Sequence, residues 1–181
     1  MITYIKKDHY RESVWKNGSG KTHEILISPI GSSLSKGDFD YRFSSAAIHC
    51  DGAFSTFSGY DRKLIIWKGE GLLINEVNLL QSSPHSFAGE EAIYAKLIKD
   101  QVIDVGLIYK RSHFFAECNV LTELPDLFKA GIHLLFIASG EIENATRGDT
   151  ILIEAETSES FSFKTSEEIL IYHFYLNDIE A

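Results

Sequence analysis

The sequence predicts an all-β protein, a sandwich or a barrel, and three observations lead to this prediction. Short runs of aliphatic and aromatic residues recur along the whole chain. Residues typical of turns, namely Gly, Ser, Asn, Asp and Pro, separate these runs, as they separate strands. The sequence has no long amphipathic helical pattern, and the best local candidate, residues 122–130, allows one or two turns at most. Many short strands at short intervals are typical of an all-β fold.

The predicted strands follow one another from near the start of the chain to its end. Each is rich in β-branched or aromatic residues, which favour strands. In chain order they are HEILI, DYRFSSAAI, RKLIIW, GLLI, AIYAKLI, IDVGLIY, HFFAECNVL, IHLLFIA, TILIEA, SFSFK and ILIYHFYL. A Gly-Glu turn follows an apolar strand twice, at Gly69-Glu70 and at Gly140-Glu141, which is a weak indication of two related β units.

Length and composition exclude several classes of protein. The 181 residues suffice for one large all-β domain or two small ones, and 44% hydrophobic content suffices for a core. A net charge of -9 argues against a nucleic-acid surface, which needs clustered Lys and Arg. Cys50 and Cys118 lack the CxxC spacing of a metal or redox motif, so we expect small buried hydrophobes.

The sequence has no segment typical of export or of a membrane span. No apolar secretory segment follows Met1, and no apolar run approaches the roughly 18 residues that a membrane span requires. We therefore expect a soluble, cytoplasmic protein that binds neither nucleic acid nor a membrane.

Residues 15–22, WKNGSGKT, form a glycine-containing loop that leads into the predicted strand HEILI. Gly20-Lys21-Thr22 looks like the end of a phosphate-binding P-loop. That motif needs a glycine five residues before Gly20, where this chain has Trp15, and a helix next, where this chain has a strand. The loop is therefore not predicted to bind a nucleotide.

Polar side chains within the predicted strands are the first candidates for function. Side chains alternate between the two faces of a strand. The alternation places Thr22, Glu24 and Leu26 on one face of the first strand, and Arg42 and Ser44 on one face of the second. These faces can line the mouth of a barrel, or they can meet solvent with Arg42 paired to Glu24 at the surface.

If these faces line a pocket, their residue types suit a small carboxylate. Arg42 and Arg62 carry forked N–H donors that match carboxylate geometry. Further members would orient an amide or amino group or form an apolar wall. These are Asn17, Glu24, Ser44, Ser55, Phe54 and Phe57.

Five blocks of the sequence carry particular residues in a particular order. They are WKNGSGKTHEI, FDYRFSSAAI, DGAFSTFSGYDRKLIIWKGEGLLI, SFAGEE and DVGLIYKR. Together they resemble the HutD/Ves family of the cupin superfamily, whose pattern is W-x-N-G-G-G-x-T-x-E-I, then D-[WY]-R-x-S, then G-x-F-S-x-F-x-G-x-x-R. The matching blocks extend over residues 15–111, and only the strand pattern supports the remainder.

The resemblance implies a more specific fold than the strand pattern does. It implies a double-stranded β-helix (RmlC-like jelly roll) with two cupin-like barrels packed in one compact bicupin chain. We expect residues 1–110 to form the N-terminal barrel with the HutD/Ves motifs. Residues 111–181 are expected to form a divergent C-terminal cupin-like unit, with an approximate and intertwined boundary.

The resemblance also implies a function. HutD relatives are associated with histidine utilisation and with a formylated or formimino glutamate-like metabolite, and Ves relatives with stress response. We therefore expect a regulatory or accessory protein that binds a small carboxylate or amino-acid derivative and has no catalytic residue. The expected ligand-binding residues are Trp15, Asn17, Gly18, Thr22, Glu24, Arg42, Ser44, Phe54, Ser55, Phe57 and Arg62.

Two other functional classes stay open. The first is a metal-independent cupin enzyme, an isomerase or hydrolase acting on a small acid, with Glu24 as its acid or base. The second is a structural module that forms a homodimer through an exposed sheet surface.

Three positions depart from the family pattern. Ser19 stands where the family usually has glycine, and Tyr41 stands where it often has tryptophan. Gly106 stands where the family often has asparagine. If that asparagine contacts the ligand in relatives, this chain binds an altered ligand.

We expect neither a metal nor another cofactor. Metal-binding cupins present a His-x-His pair with a glutamate and a further histidine, because alternate strand residues direct two imidazoles into the barrel. The seven histidines of this chain include no such pair, although a site of three scattered ligands stays open. His133 and His173 lie in strong predicted strands, where we expect hydrogen-bonded core or surface histidines.

Overall fold

Strands make up almost all of the regular structure. The computed structural model describes residues 1–15, 18 and 20–179. Within these residues the only helix is one 3-10 turn at Lys7–His9, and no helix is long and apolar enough to cross a membrane. The all-β prediction is confirmed, and residues 122–130 form turns and extended segments instead of a helix.

The strands are numbered here in chain order. They are β1 (Ile2–Ile5), β2 (Arg11–Val14), β3 (Gly20–Ser28), β4 (Tyr41–Ile48), β5 (Gly52–Ala53), β6 (Tyr60–Lys68), β7 (Leu72–Ile74), β8 (Val77–Leu79), β9 (His85–Ala88), β10 (Tyr94–Leu97), β11 (Val102–Lys110), β12 (Phe114–Leu121), β13 (Gly131–Ser139), β14 (Glu141–Ile142), β15 (Ala145–Thr146), β16 (Thr150–Ala155) and β17 (Leu170–Asp178).

The strands divide into two units. Residues 10–113 form the N-terminal unit, and residues 1–9 join those from 114 onward in the C-terminal unit. Strand β1 pairs antiparallel with β16, with Ile2 opposite Ile153. The first nine residues therefore fold with the C-terminal segment, although they were expected in the N-terminal barrel.

The N-terminal unit contains two sheets joined by an apolar core. The larger sheet has the strand order β2-β3-β4-β11-β6-β9, and the smaller has the order β5-β10-β7-β8. Leu64 and Ile66 of the larger sheet belong to the same buried cluster as Leu72 and Ile74 of the smaller. Full burial of each such side chain contributes about 1.5–3 kcal/mol, so this cluster stabilises the scaffold around the site.

The register of the larger sheet determines which side chains share its inner face. Arg42 on β4 lies opposite Ile108 on β11, and Ile108 lies opposite Arg62 on β6. Directly opposite residues in an antiparallel pair project from the same face. Arg42 and Arg62 therefore lie in one row of the inner face, about 10 Å apart across two strand spacings.

A β-bulge in β3 changes the predicted alternation. Glu24 lies opposite Ser44, but the register then shifts, and Ile27 lies opposite Arg42. The extra residue of a bulge moves every later side chain to the other face of its strand. The prediction that Leu26 shares the face of Glu24 was wrong for this reason.

The C-terminal unit has a five-stranded sheet with the order β1-β16-β13-β17-β12, and a small hairpin of β14 and β15. It has a buried hydrophobic cluster, against which the partly buried rings of Phe161 and Phe163 pack. The members of the cluster are Phe128, Leu135, Ile137, Ile142, Ala145, Ile151, Ile153, Ile169 and Ile171.

Two histidines border this core and hydrogen-bond to each other. Nδ1 of His133 lies 2.9 Å from Nε2 of His173, and Nε2 of His133 lies 2.9 Å from the carbonyl oxygen of Lys129. A carbonyl only accepts, so His133 carries its proton on Nε2 and His173 donates from its own Nε2. Burial lowers the pKa of both histidines, that of His173 to about 4. Both rings are hydrogen-bonded, as predicted, and burial favours their neutral forms.

We expect the C-terminal unit to lose stability as the pH falls from about 6.5 towards about 4. The pKa of His173 is lower in the folded state than in an unfolded chain, so the unfolded state takes up the proton first. The free energy of unfolding of the C-terminal unit should decrease by roughly 1–2 kcal/mol when the pH is lowered from 7 to 5. Hydrogen exchange of peptides from β13 and β17 measures it, because both tryptophans lie in the N-terminal unit.

The matched control for this prediction is another histidine of the same unit. His173→Phe should reduce the pH dependence, whereas His9→Gln, at an exposed position, should retain it in full. An unchanged pH dependence in His173→Phe would contradict the prediction.

Candidate functional site

The larger sheet of the N-terminal unit borders a cavity of about 550 Å³. This volume lies within the range of small-molecule pockets, roughly 300–1,000 Å³. Charged, hydroxyl-bearing and aromatic side chains all line it. Such a mixture of apolar walls and a few polar groups is typical of ligand sites, so the cavity is the candidate functional site.

Arg42 is held in the cavity wall by an ion pair. Its Nε donates to Oε2 of Glu24 at 2.7 Å, and its Nη1 donates to Oγ of Ser44 at 3.3 Å. The side chains of Arg42 and Glu24 are only 8% and 18% exposed. Glu24 therefore fixes the guanidinium group, and Nη2 of Arg42, which donates to no described residue, is available to a ligand.

Arg62 lies among three aromatic rings. Its Cζ is 4.9 Å from the ring centroid of Phe87, 5.1 Å from that of Phe54 and 5.9 Å from that of Phe57. Ring faces attract a cation electrostatically, and Nη1 of Arg62 also donates to the carbonyl oxygen of Ser55 at 3.3 Å. Burial lowers the pKa of Arg62 to about 10, which leaves it protonated at neutral pH.

Asp104 brings a buried carboxyl group to the same cavity, since it lines the cavity and is 6% exposed. The backbone N–H of Ala46 donates to its Oδ1 at 3.0 Å, and the hydroxyl of Ser45 donates to its backbone carbonyl at 2.7 Å. Burial raises the pKa of Asp104 to about 7, and the Ala46 N–H and the charges of Arg62 and Arg42 oppose this rise. The carboxyl group is therefore partly protonated at neutral pH.

A glycine lies between the charged groups on the cavity floor. Gly106 on β11 lies opposite Ser44 on β4 and opposite Leu64 on β6. A Cβ atom at Gly106 would lie 3.2 Å from Cδ1 of Leu64 and 3.4 Å from the carbonyl oxygen of Lys63. The asparagine that the family pattern has here would therefore require the side chain of Leu64 to shift by a few tenths of an ångström.

Trp15 forms one side of the cavity. Its Nε1 donates to Oγ1 of Thr22 at 2.8 Å, which fixes the indole ring against β3. A Cβ atom at Gly20 would lie 3.1 Å from this ring and would collide with the carbonyl oxygen of Ala47. Glycine at position 20 therefore permits both the packing of Trp15 and the pairing of β3 with β4. These packing constraints account for the glycine at this position.

The structure brings most of the predicted ligand-binding residues together. Eight of the predicted residues line the cavity, namely Trp15, Thr22, Arg42, Ser44, Phe54, Ser55, Phe57 and Arg62. Glu24 does not line it but holds Arg42 in place. Gly18 is not among the lining residues, and Asn17 lies outside the described residues.

Asp104 lines the cavity but is not among the residues predicted to bind a ligand. Asp104 lies within the predicted strand IDVGLIY, but all predicted site residues came from residues 15–62. Asp104 and Gly106 are two residues apart in one family block, so their side chains share a face of the strand. This spacing was the signal that could have placed Asp104 on the face of the sheet that borders the cavity. The other lining residues that were not predicted are Ser13, Val14, Leu34, Ala46, Ala53, Lys63, Leu64, Gly106, Leu107 and Ile108.

The remaining clusters and depressions are less suited to a ligand. Among the residues that the structure describes, no three His, Cys, Asp or Glu side chains converge to hold a metal ion. A second depression of about 630 Å³ lies in the C-terminal unit. Its charged lining residues, Glu123, Asp126 and Glu167, are all exposed, so water already satisfies them. The cavity with buried charges is therefore the better candidate.

Sequence comparison finds a matching family and similar proteins. The family model described as HutD matches residues 7–171. A Pseudomonas putida protein, described as an uncharacterized 21.2 kDa protein in the hutC 3' region, is 33% identical over 154 residues, covering 82% of this chain and 80% of that protein. Protein Ves of Citrobacter koseri is 29% identical over 134 residues, covering 71% of this chain and 68% of that protein.

Structural comparison finds the same fold in a solved structure. HutD from Pseudomonas fluorescens SBW25 superposes with a TM-score of 0.83 at 23% identity, covering 99% of this chain and 100% of that one. A likeness at this identity establishes the fold alone. It confirms the predicted fold class, an all-β jelly roll of bicupin type.

Glu24→Ala should destabilise the N-terminal unit by about 2–4 kcal/mol, because it leaves the guanidinium of Arg42 in a mostly buried position without its counter-charge. Urea unfolding followed by tryptophan fluorescence measures this, since Trp15 and Trp67 both lie in this unit.

The matched control is Glu70→Ala. Glu70 pairs with Lys99 at 2.8 Å, nearly the same distance, but these side chains are 57% and 63% exposed. Its loss should cost much less, because water screens an exposed pair. If the two substitutions cost the same, the ion pair of Glu24 does not stabilise the cavity wall.

Proposed function

The chain belongs to the HutD family, and on this premise we propose that it is a cytoplasmic binding protein for a small carboxylate or amino-acid derivative. The observation that carries this proposal is that two guanidinium groups line one cavity together with aromatic side chains. Buried arginines are costly unless an anion or another acceptor meets them. A ligand carboxylate is such an acceptor.

The two arginines are prepared for an anion in different ways. Arg42 is fixed by Glu24 and keeps Nη2 available. Arg62 is surrounded by ring faces and a backbone carbonyl, with no carboxylate partner among the described residues. Fixed guanidinium groups bind carboxylates with little loss of side-chain entropy. The hydroxyl groups of Ser44 and Thr22 are placed to orient the rest of the ligand.

The names of the relatives suggest the metabolic setting. One structural relative is named HutD, and one sequence relative lies in the hutC 3' region. We infer that the ligand derives from histidine or glutamate and that the protein is regulatory or accessory to that metabolism. The role in stress response that the resemblance implied stays a prediction.

A metal-independent enzyme acting on a small acid is the second candidate, and Asp104 is the observation that favours it. A carboxyl group with a pKa of about 7 in a cavity suits general acid–base catalysis near neutral pH. Glu24 suits that role less well, because its carboxylate is engaged by Arg42. Asp104 is therefore the better candidate acid or base in this reading.

Wild-type protein should gain thermal stability from at least one member of a panel of formylglutamate, formiminoglutamate, urocanate and histidine. A ligand that binds only the native state adds roughly 2.7 kcal/mol at a hundredfold excess over its Kd. Arg62→Met should abolish this gain, because it removes the cation that meets the ligand carboxylate. Differential scanning calorimetry measures both proteins with and without each ligand.

Arg62→Met is preferable to a substitution of Arg42, because Arg62 forms no ion pair with the described residues, whereas removal of Arg42 breaks its ion pair with Glu24. Lys99→Met, which removes an exposed cation outside the cavity, should keep the full gain. If the ligand still raises the thermal stability of folded Arg62→Met, then binding does not depend on Arg62 and the ligand binds outside this cavity. No gain with any panel member would count against a carboxylate ligand.

The panel member that stabilises the protein should be recovered unchanged after prolonged incubation with it, because a binding protein does not transform its ligand. Proton NMR of the mixture detects conversion directly. Conversion by wild-type protein that is lost in Asp104→Asn would establish the enzyme reading instead.

A further inference from the structure

Asp104 lies on the same inner face as the two arginines, but further along the sheet. It lies opposite Ala46, whereas Ile108, four residues later on β11, lies between Arg42 and Arg62. Four residues of strand span about 13 Å. The cavity therefore has cations in one row of the sheet and a buried acid in another, and a ligand that fills it meets both.

Charged side chains approach Asp104 from both neighbouring strands. Arg42 on β4 and Arg62 on β6 each act on its carboxyl group. Glu24 on β3 pairs with Arg42. Lys63 on β6 also lines the cavity, but its Nζ donates to Oγ of Ser86 at an exposed position. When Asp104 is ionised, it and Glu24 balance the two guanidinium charges. When Asp104 is protonated, the four side chains Glu24, Arg42, Arg62 and Asp104 together carry one net positive charge.

The two carboxyl oxygens of Asp104 differ in their surroundings. Oδ1 accepts the backbone N–H of Ala46, while no donor among the described residues reaches Oδ2. Oδ2 is therefore the oxygen that can carry a proton without breaking a hydrogen bond. A protonated carboxyl group donates an O–H as well as accepting, and a buried acid kept neutral can serve as a donor to a bound ligand.

We propose that an anionic ligand binds in this cavity together with one proton, which Asp104 takes up from solvent and holds as a neutral acid in contact with the ligand. This inference rests on the proposed function. A bound anion offsets the positive charges that favour ionised Asp104, and it displaces water, so both effects favour the neutral acid. The ligand presents a carboxylate or carbonyl oxygen to Asp104, and not an ammonium group.

Glutarate is the probe, because it has two carboxylates and no nitrogen. Isothermal titration calorimetry at pH 7.5 in phosphate and in Tris, which differ in ionisation enthalpy, gives the number of protons taken up. Uptake should approach one proton per glutarate. The Kd should rise severalfold between pH 7 and pH 8, approaching about tenfold per pH unit above the pKa of free Asp104.

Asp104→Asn separates proton uptake from ligand contact. Its amide resembles the neutral acid in shape and keeps an acceptor for Ala46 N–H, but it cannot titrate. The variant should bind glutarate with no proton uptake and with a Kd independent of pH. Glu70→Gln, an exposed acid outside the cavity, should behave like wild type.

The outcomes separate this inference from the proposed function. Binding that requires Arg62 but shows no proton uptake, or that strengthens as the pH rises, overturns the inference and leaves the proposed function standing. Loss of binding in folded Asp104→Asn also overturns it, because it means that the ligand needs the ionised acid. Failure of wild type to bind glutarate overturns it as well, and binding that survives in Arg62→Met overturns the proposed function with it.

Discussion

The cost of removing charge from water governs the arrangement of the cavity. A buried ion is costly unless it is paired, hydrogen-bonded or neutralised. The buried groups Arg42 and Asp104 and the half-buried Arg62 meet this requirement in different ways. Arg42 pairs with Glu24 at 2.7 Å, Arg62 lies against ring faces and the carbonyl oxygen of Ser55, and Asp104 is partly protonated. Only the first is a closed ion pair, so the other two leave interactions that a ligand can complete.

The register of the larger sheet makes this arrangement possible. Hydrogen bonding fixes which residues lie opposite one another across β3, β4, β11 and β6, so Glu24, Arg42 and Arg62 cannot move independently. The small residues Ser44 and Gly106 line the cavity between them. Sites built on strands hold their geometry better than sites on loops, and this cavity owes its charged groups to strands.

The sequence predicted the fold class and most of the cavity, because both depend on local patterns. Recurrent short β-rich runs indicated strands, and ordered family blocks identified residues such as Arg42 and Arg62. The failures come from long-range constraints. The bulge that places Ile27 opposite Arg42 has no turn residue to mark it. Asp104 acquires its properties only from burial between β4 and β6, which no local pattern encodes.

The two units differ in how far their polar groups are satisfied within the protein. In the C-terminal unit, Leu135, Ile151 and Ile171 belong to a continuous apolar cluster, and the neighbouring His133 uses both ring nitrogens, one with Lys129 and one with His173. Polar groups whose hydrogen bonds are all made within the protein need no ligand to satisfy them. In the N-terminal unit, two groups are not fully satisfied within the protein. The guanidinium group of Arg62 has no carboxylate partner among the described residues, and the carboxyl group of Asp104 is partly protonated. The N-terminal cavity therefore holds two groups, Arg62 and Asp104, whose interactions are incomplete among the described residues and which a ligand can complete.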